Sequence, residues 1–266
     1  MVPAMQTRVI SWNVNSVRVR EARLLAVLER HRPDVLCLQE LKTLDEGFPH
    51  AAVRAAGYEA TTYGQKTYNG VALLVKAPLV ATDVVRSFGD DVEDPQARVV
   101  AATVGGLRVC CVYVPNGGEM GSEKWDYKRA WYARLDRFLA QQGVRDGAPF
   151  VLCGDFNVAW DERDVAKPEN WLDGVLYHPD ARALLHGTVG SAALVDTLRQ
   201  HHAEANLLSW WDYRNLGFQK NDGLRIDYVF ANAAAAQACV AAGIDRDERR
   251  GQQPSDHAPV WADFTL

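Results

Sequence analysis

Apolar residues along the chain fall into short runs rich in Val, Ile and Leu that stop abruptly at polar or turn residues. TRVISWNV (7–14), PDVLCLQE (33–40), GVALLVK (70–76), ARVVAATV (97–104), LRVCCVYV (107–114), APFVLCGD (148–155), LRIDYVF (224–230) and HAPVWADF (257–264) read as β-strands. Gly105-Gly106 joins two of them as a hairpin turn signal. Between strands the period changes. EARLLAVLERH (21–31) sets Leu24, Leu25 and Leu28 on one face and stops before Pro33, which predicts a helix. Over 123–142, Tyr127, Trp131, Leu135, Phe138 and Leu139 recur at helical spacing. The alanine-rich stretch 231–242 reads as a plain helix, because alanine is the best helix former. Strands mixed with helices and hairpins predict a mixed sheet. Two sheets packed face to face with helices outside fit the length.

Composition narrows the class. At 266 residues with no Pro/Gly/Ser-rich linker, one domain spanning 1–266 is expected. A hydrophobic share of 48% against 24% charged supports a sizeable core and argues against disorder. No run approaches a membrane span, and MVPAMQTRVISW holds no signal-peptide core, so no membrane partner is expected. The five cysteines are odd in number, without a C-x-x-C, and four lie in apolar runs; they read as buried, reduced thiols of a cytoplasmic protein. The net charge of −5 counts weakly against a nucleic-acid partner but says nothing of local patches.

Chemistry gathers where the apolar runs end. The first stops at Trp12-Asn13, the second at Gln39-Glu40, another at Tyr113-Val114-Pro115-Asn116 and another at Gly154-Asp155-Phe156-Asn157. Asp227 lies within LRIDYVF, and Ser255-Asp256-His257 enters the last strand. Alone, each is a cap, a turn or a hydrogen-bonded structural residue. Together they put carboxylate, amide, phenol and imidazole groups at the tips of many strands, where rigid scaffolds display functional groups. Oxygen donors without a Cys/His cluster favour a hard cation such as Mg²⁺ or Mn²⁺ over zinc. A nearby histidine suits phosphoryl oxygens that gain charge in a transition state. G-x-x-x-x-G-K-[ST], G-x-G-x-x-G and G-x-S-x-G are all absent. Ser255, Asp256 and His257 are the triad residue types, but neighbours on a strand point to opposite faces.

The strings SWNVNSVR (11–18), PDVLCLQE (33–40), YVPNG (113–117), GDFNV (154–158), SWWDYR (209–214), GLRIDYVF (223–230) and SDHAPV (255–260) resemble the exonuclease III / apurinic-apyrimidinic endonuclease family of DNA-repair nucleases. That family lies within the endonuclease/exonuclease/phosphatase superfamily. The matches span roughly residues 7–264 in the family's order. GDxN and SDHxPV are superfamily-level signals, whereas LRIDY and SWWDYR belong more to the DNA-repair branch.

The resemblance implies a four-layered α/β sandwich, two packed mixed β-sheets flanked by helices, with the site at one edge of the sheets. It implies Glu40 as principal metal ligand, with Asn13 and Asp256 close to the metal. Asp155 would activate the attacking water or else serve the leaving oxygen. Asn157 would position phosphate and nucleophile, Tyr113 would contact phosphate, and His257 would bind the scissile phosphate, oriented by Asp227. Asn116 and Lys128 would lie near the DNA backbone, and Trp210 and Leu224 would wall a pocket for a base-free sugar. The implied activity is metal-assisted hydrolysis of DNA phosphodiesters at abasic sites and/or 3′-ends by in-line attack of water, as abasic endonuclease, 3′→5′ exonuclease and 3′-phosphatase or phosphodiesterase. The implied partner is double-stranded DNA with abasic sites or 3′-blocked ends, cut by a monomer. Two positions depart from relatives: Asn15 replaces an aspartate found in some, and the large Trp160 is read either as a wall of the site or as packing. A basic rim is expected among Arg18, Arg20, Lys66, Lys124, Lys128, Arg214, Lys220 and Arg225. The rivals are a small-phosphoester phosphatase of the same superfamily and a catalytically dead DNA-binding relative.

Overall fold

The computed structural model describes residues 6–266. In chain order its elements begin β1 (Gln6–Asn13), α1 (Glu21–His31), β2 (Val35–Gln39), α2 (His50–Ala55), β3 (Tyr58–Tyr63), β4 (Val71–Lys76), β5 (Thr82–Arg86), β6 (Val99–Val104) and β7 (Leu107–Tyr113). They continue with α3 (Glu123–Gln141), β8 (Phe150–Asp155), α4 (Pro179–Ser191), β9 (Val195–Asp196), α5 (Thr197–His201), β10 (Asp227–Ala231), α6 (Ala233–Ala238), β11 (Cys239–Ile244) and β12 (Val260–Thr265).

The strands make two six-stranded sheets, ordered β11-β12-β1-β2-β4-β3 and β5-β6-β7-β8-β10-β9. Each has a parallel pair at its heart, β1 with β2 and β7 with β8, and antiparallel neighbours on both sides. Parallel strands finish at the same edge, and their antiparallel neighbours start there. The C-terminal tips of β1, β2, β7 and β8 therefore share an edge with the entries of β10 and β12.

Burial explains why these runs carry little alternation of apolar and polar residues. Val9, Val35, Cys37 and Leu73 of one sheet pack with Val109, Cys111, Val151 and Cys153 of the other. The outward residues of the first sheet, Ile10, Trp12, Leu36 and Leu38, pack with Leu24 and Leu28 of α1. Those of the second, Cys110, Val112 and Leu152, pack with Trp131, Leu135 and Leu185 of α3 and α4. Strands covered on both faces need apolar groups at every position. The result is helix, sheet, sheet, helix, as expected. Gly154 marks the tightest approach: its φ is 152°, and an added Cβ would lie 1.9 Å from the Val112 carbonyl oxygen. Only glycine fits there, immediately before Asp155.

One expected element changes. The helix read over 231–242 covers only Ala233–Ala238, capped by the Asn232 side chain. From Cys239 the chain becomes β11, which pairs with β12 at the sheet edge. Backbone pairing to an open sheet edge outweighs the few tenths of a kcal/mol per residue, roughly, that separate alanine from other residues in a helix.

Candidate active site

The shared edge brings the polar strand tips together. Asn13, wholly buried at the end of β1, bridges the two sheets. Its Nδ2 donates to Glu40 Oε1 at 2.9 Å and to Asp155 Oδ2 at 2.9 Å. Glu40 Oε1 also accepts the Tyr113 hydroxyl at 2.8 Å, and Lys42 Nζ lies 2.8 Å from Oε2. Burial opposes the charge on Glu40, but Lys42, Asn13 and His257 together hold its carboxyl below the ordinary range. Burial, with Glu40 and Asp155 beside it, pushes the Tyr113 phenol well up, so it is a neutral donor.

Asp155 is almost wholly buried. Besides the Asn13 bond, its Oδ1 accepts the Asn157 backbone N–H at 2.9 Å. His257 Nε2 stands 3.7 Å from Oδ2, and Nδ1 is 2.9 Å from Asp227 Oδ2. The imidazole is thus strung between two carboxylates. Burial alone lowers the His257 pKa, but Asp227 foremost, then Asp155, overcome it and raise it to about 10. Burial pushes Asp155 up to about 7; His257 opposes that shift and Asp227 adds to it. One buried pair thus holds a carboxylate that can take a proton near neutrality and an imidazolium that keeps its own.

Asp227 is fixed in turn. Ser209 Oγ donates to Asp227 Oδ2 at 2.6 Å and accepts the backbone N–H groups of Ile226 and Asp227, each at 3.1 Å. Replacing Asp227 with Asn removes the strongest support of the His257 charge. The basic limb of the pH–rate profile, expected near 10 in the wild type from the His257 pKa, should then move down by at least one unit. Initial rates from pH 6 to 10.5 check this; an unmoved limb would mean that His257 is not the group whose deprotonation ends activity.

Asp256 forms the far wall. Asn15 Nδ2 donates to its Oδ1 at 2.9 Å and Trp210 Nε1 to its Oδ2 at 3.0 Å, while Asn15 Oδ1 accepts from Lys42 at 2.6 Å. Asn15 therefore links Asp256 to the Lys42–Glu40 pair. Asn157 is clamped: its Nδ2 donates to the Val114 carbonyl at 2.9 Å and its Oδ1 accepts from Asn116 at 3.0 Å. Of the adjacent tryptophans, Trp211 is buried and Trp210 half-buried, its ring centroid 6.5 Å from that of His257.

Three expectations are corrected. Lys128 does not face outward; it is wholly buried, donating to the carbonyls of Asn116 and Asn157 at 3.0 and 2.8 Å. Burial lowers its pKa to about 7. It braces the floor under the site loops, because α3 turns this face inward beside Trp131. Arg225 leaves the basic rim as well, buried in ion pairs with Asp164 and Asp196 at 2.7 Å. Leu224 is wholly buried where it bridges to Trp210. Trp160 packs on His186 at 4.2 Å and beside Phe230. Arg18, Lys66, Lys124, Arg214 and Lys220 are exposed, and Arg20 is held by Tyr213 and the Pro254 carbonyl. Lys42 and Ser209 were missed as candidates, although each lies in or next to a quoted string, because nothing local marks a lysine or serine as a partner of a distant carboxylate.

The donor set suits a cation. A carboxylate oxygen of Glu40, one of Asp155 and a ring nitrogen of His257 lie within 4.8 Å of one another, and with His257 kept as an imidazolium the carboxylates are the donors left for an ion. The carboxylates of Glu40, Asp155, Asp227 and Asp256 outnumber the cations that face them, Lys42 and His257. Buried carboxylates in excess and oxygen donors together fit a hard divalent ion.

Known proteins place this architecture. The model of the endonuclease/exonuclease/phosphatase family matches residues 10–257. The exodeoxyribonuclease III of Haemophilus influenzae is 37% identical over 96% of this chain and 98% of its own length. The 3′ phosphatase NExo from Neisseria, solved bound to a product DNA hairpin, superposes with a TM-score of 0.93 at 39% identity, covering 98% of this chain and all of that one. An AP endonuclease from Archaeoglobus fulgidus gives a TM-score of 0.92 at 33% identity over 98% of this chain and 100% of the other. With the family model spanning nearly the whole sequence and an edge site built from both sheets, the chain belongs to the endonuclease/exonuclease/phosphatase family, in its exonuclease III / AP endonuclease branch.

Proposed function

We propose that this chain is a metal-dependent DNA-repair phosphodiesterase that hydrolyses double-stranded DNA at abasic sites and/or 3′-ends, as abasic endonuclease, 3′→5′ exonuclease or 3′-phosphatase/phosphodiesterase. It acts as a monomeric, single-domain cytoplasmic enzyme using Mg²⁺, with Mn²⁺ as a substitute. One observation carries the reading: Asp155, between Asn13 and His257, sits where the tips of both sheets converge. The names of the relatives, an exodeoxyribonuclease, a 3′ phosphatase and an AP endonuclease, support the substrate class. Among the described residues no helix is long and apolar enough to cross a membrane.

Glu40 would hold the ion, with Asn13 and Asp256 beside it. When bound, the ion supplies charge neutralisation and polarisation at the phosphate. The chain's own groups do the rest. Asp155, held at both oxygens and raised to about 7 by burial, takes a proton from the attacking water. His257, fixed at Nδ1 by Asp227, offers its Nε2–H to a phosphoryl oxygen as charge builds. Tyr113 and Asn157 border the same space, the latter rigidly held. The exposed Arg18, Lys66, Lys124 and Arg214 suit a DNA backbone, so binding should weaken with salt.

The test uses two labelled duplexes, one with a central abasic-site analogue and one with a 3′-phosphate at a nick, in Mg²⁺ with and without EDTA. Cleavage of at least one, abolished by EDTA and restored by Mg²⁺ or Mn²⁺, is expected. No cleavage of either would refute the DNA reading and favour small phosphoesters.

A further inference from the structure

Beside the site lies a small apolar cluster separate from the main cores. Ala159, Val165, Tyr177, Leu224 and Ile226 form its buried part, with Trp171, Leu176 and Trp210 at its edge. Trp210 cannot turn aside freely. Its indole N–H is bonded to Asp256, and its backbone bridges to both Leu224 and His257. Trp171 packs against it in a T-shaped contact, ring centroids 5.7 Å apart. A loop that the family strings did not include brings Trp171 there. A 3-10 turn at Pro168–Asn170 precedes it, and the Trp171 N–H bonds back to Pro168. The loop is tied to the body at its two ends, by Ala166 N–H to Gly223 and by Ala159 N–H to Leu176. Trp171 Nε1 is buried and has no acceptor. A buried donor left unpaired is unfavourable, and native structures seldom keep one.

We propose that Trp171 is a specificity-determining residue that closes the apolar recess against Trp210, so that the site prefers a terminal 3′-phosphoester to an abasic nucleotide flipped from continuous duplex. The inference rests on the DNA-phosphodiesterase reading above and names the substrate class within it. A flipped base-free sugar is cheap to extrude because its stacking and pairing are already lost. It must still seat its ring against an apolar wall while strand continues on both sides. Leu224 is wholly buried where it bridges to Trp210, and Trp171 packs onto the Trp210 ring. A 3′-terminal phosphate has strand on one side only and approaches His257 without filling the recess. The indole N–H is closed off from the site in this packing, so the ring as a wall, and not its N–H, carries the discrimination.

The test is the ratio of kcat/KM on the abasic duplex to that on the 3′-phosphate nicked duplex, for wild type, Trp171→Ala and Trp171→Phe. The alanine variant is expected to raise the ratio at least about tenfold, the scale on which apolar pocket volume discriminates substrates. The phenylalanine variant keeps an aromatic ring without the N–H and is expected to stay nearer the wild-type ratio. If wild type cuts a substrate and alanine leaves the ratio unchanged, the inference fails and the phosphodiesterase reading stands. A rise in the phenylalanine variant equal to that in alanine would assign discrimination to the N–H and overturn the steric argument. If wild type cuts neither duplex, both readings fall. Should alanine unfold the loop, seen as a lowered melting temperature, Trp171→Leu poses the same question with less volume lost.

Discussion

Asp155→Asn is expected to reduce kcat/KM on DNA phosphoesters by about 10³–10⁴-fold, the upper range for loss of a general base, while the protein stays folded. Asparagine matches aspartate in shape. Its carbonyl oxygen can still accept the Asn157 N–H that now reaches Asp155 Oδ1. Its amide then meets the Asn13 Nδ2 donor, so one hydrogen bond is lost. The carboxylate it replaces is itself unfavourable in this position. With the folded pKa raised to about 7 by burial, the native state resists ionisation that the unfolded chain accepts near pH 4. Stability from this group therefore falls as pH rises from about 4 through 7. Removing the charge relieves that cost but also removes one support of the His257 charge. The two effects oppose each other, so a melting temperature within a few degrees of wild type is expected. Steady-state kinetics with a thermal melt decide it. Activity within tenfold of wild type would mean that water is deprotonated elsewhere and that Asp155 only aligns Asn13 and His257.

Much of this site was legible because strands covered on both faces leave few places for polar groups. In such strands a polar residue inside the run is costly, so chemistry is pushed to the tips, and the tips stand out. Asn13, Glu40, Tyr113, Asp155 and His257 stood at ends or entries of apolar runs, whereas Asp227 lay within one and reaches a strand entry only because β10 starts at it. Edge strands gave no such contrast. β5 is largely exposed, and its TDVVR sequence has no buried face to read. α4 carries Gly187 and Gly190, which blur a helical pattern that packing against α3 restores. Lys128 misled for a different reason. A lysine on a helix near a phosphate-binding string reads as a cation facing solvent, yet two orphan carbonyls below the site recruit it inward. Arg225 repeats the lesson, since Asp164 and Asp196 neutralise it in the interior. Charge in a sequence shows what a residue can pair with and leaves the partner's location to the fold.

The location of the site follows from the sheets. Each sheet alone presents only half of the constellation: Asn13, Glu40 and Asp256 come from the β1 side, and Tyr113, Asp155 and Asp227 from the β7 side. Asn13 Nδ2 and the Tyr113 hydroxyl both cross the gap. Catalytic competence therefore depends on face-to-face packing of the two sheets, and the Val and Cys layer between them sets the distance from Glu40 to Asp155.

Glu40→Gln separates ion binding from proton transfer. Its effect should appear as a rise of about 10–100-fold or more in the Mg²⁺ concentration for half-maximal activity, with rate at low Mg²⁺ falling in proportion. Glutamine keeps an oxygen for Asn13 and Tyr113, so the bridge between the sheets survives. Its amide cannot serve the Lys42 ammonium, now 2.8 Å from Oε2. Lys42 is partly exposed and keeps Asn15 Oδ1 as a partner, so it can turn toward solvent at little cost to stability. The change also removes the charge that Lys42, Asn13 and His257 favour. Because its neighbours hold the Glu40 carboxyl below the ordinary range, its charge is net stabilising in the folded protein, so apoprotein stability should fall modestly while affinity for a divalent ion falls. Calorimetric titration of Mn²⁺ into DNA-free protein reads that affinity without relying on turnover. Partial recovery of rate at high Mg²⁺ would mark Glu40 as a ligand whose loss is a matter of occupancy. An unchanged Mn²⁺ affinity would move the ion to Asp256 and Asn15, leaving Glu40 as the group that holds Lys42 and Tyr113 in place.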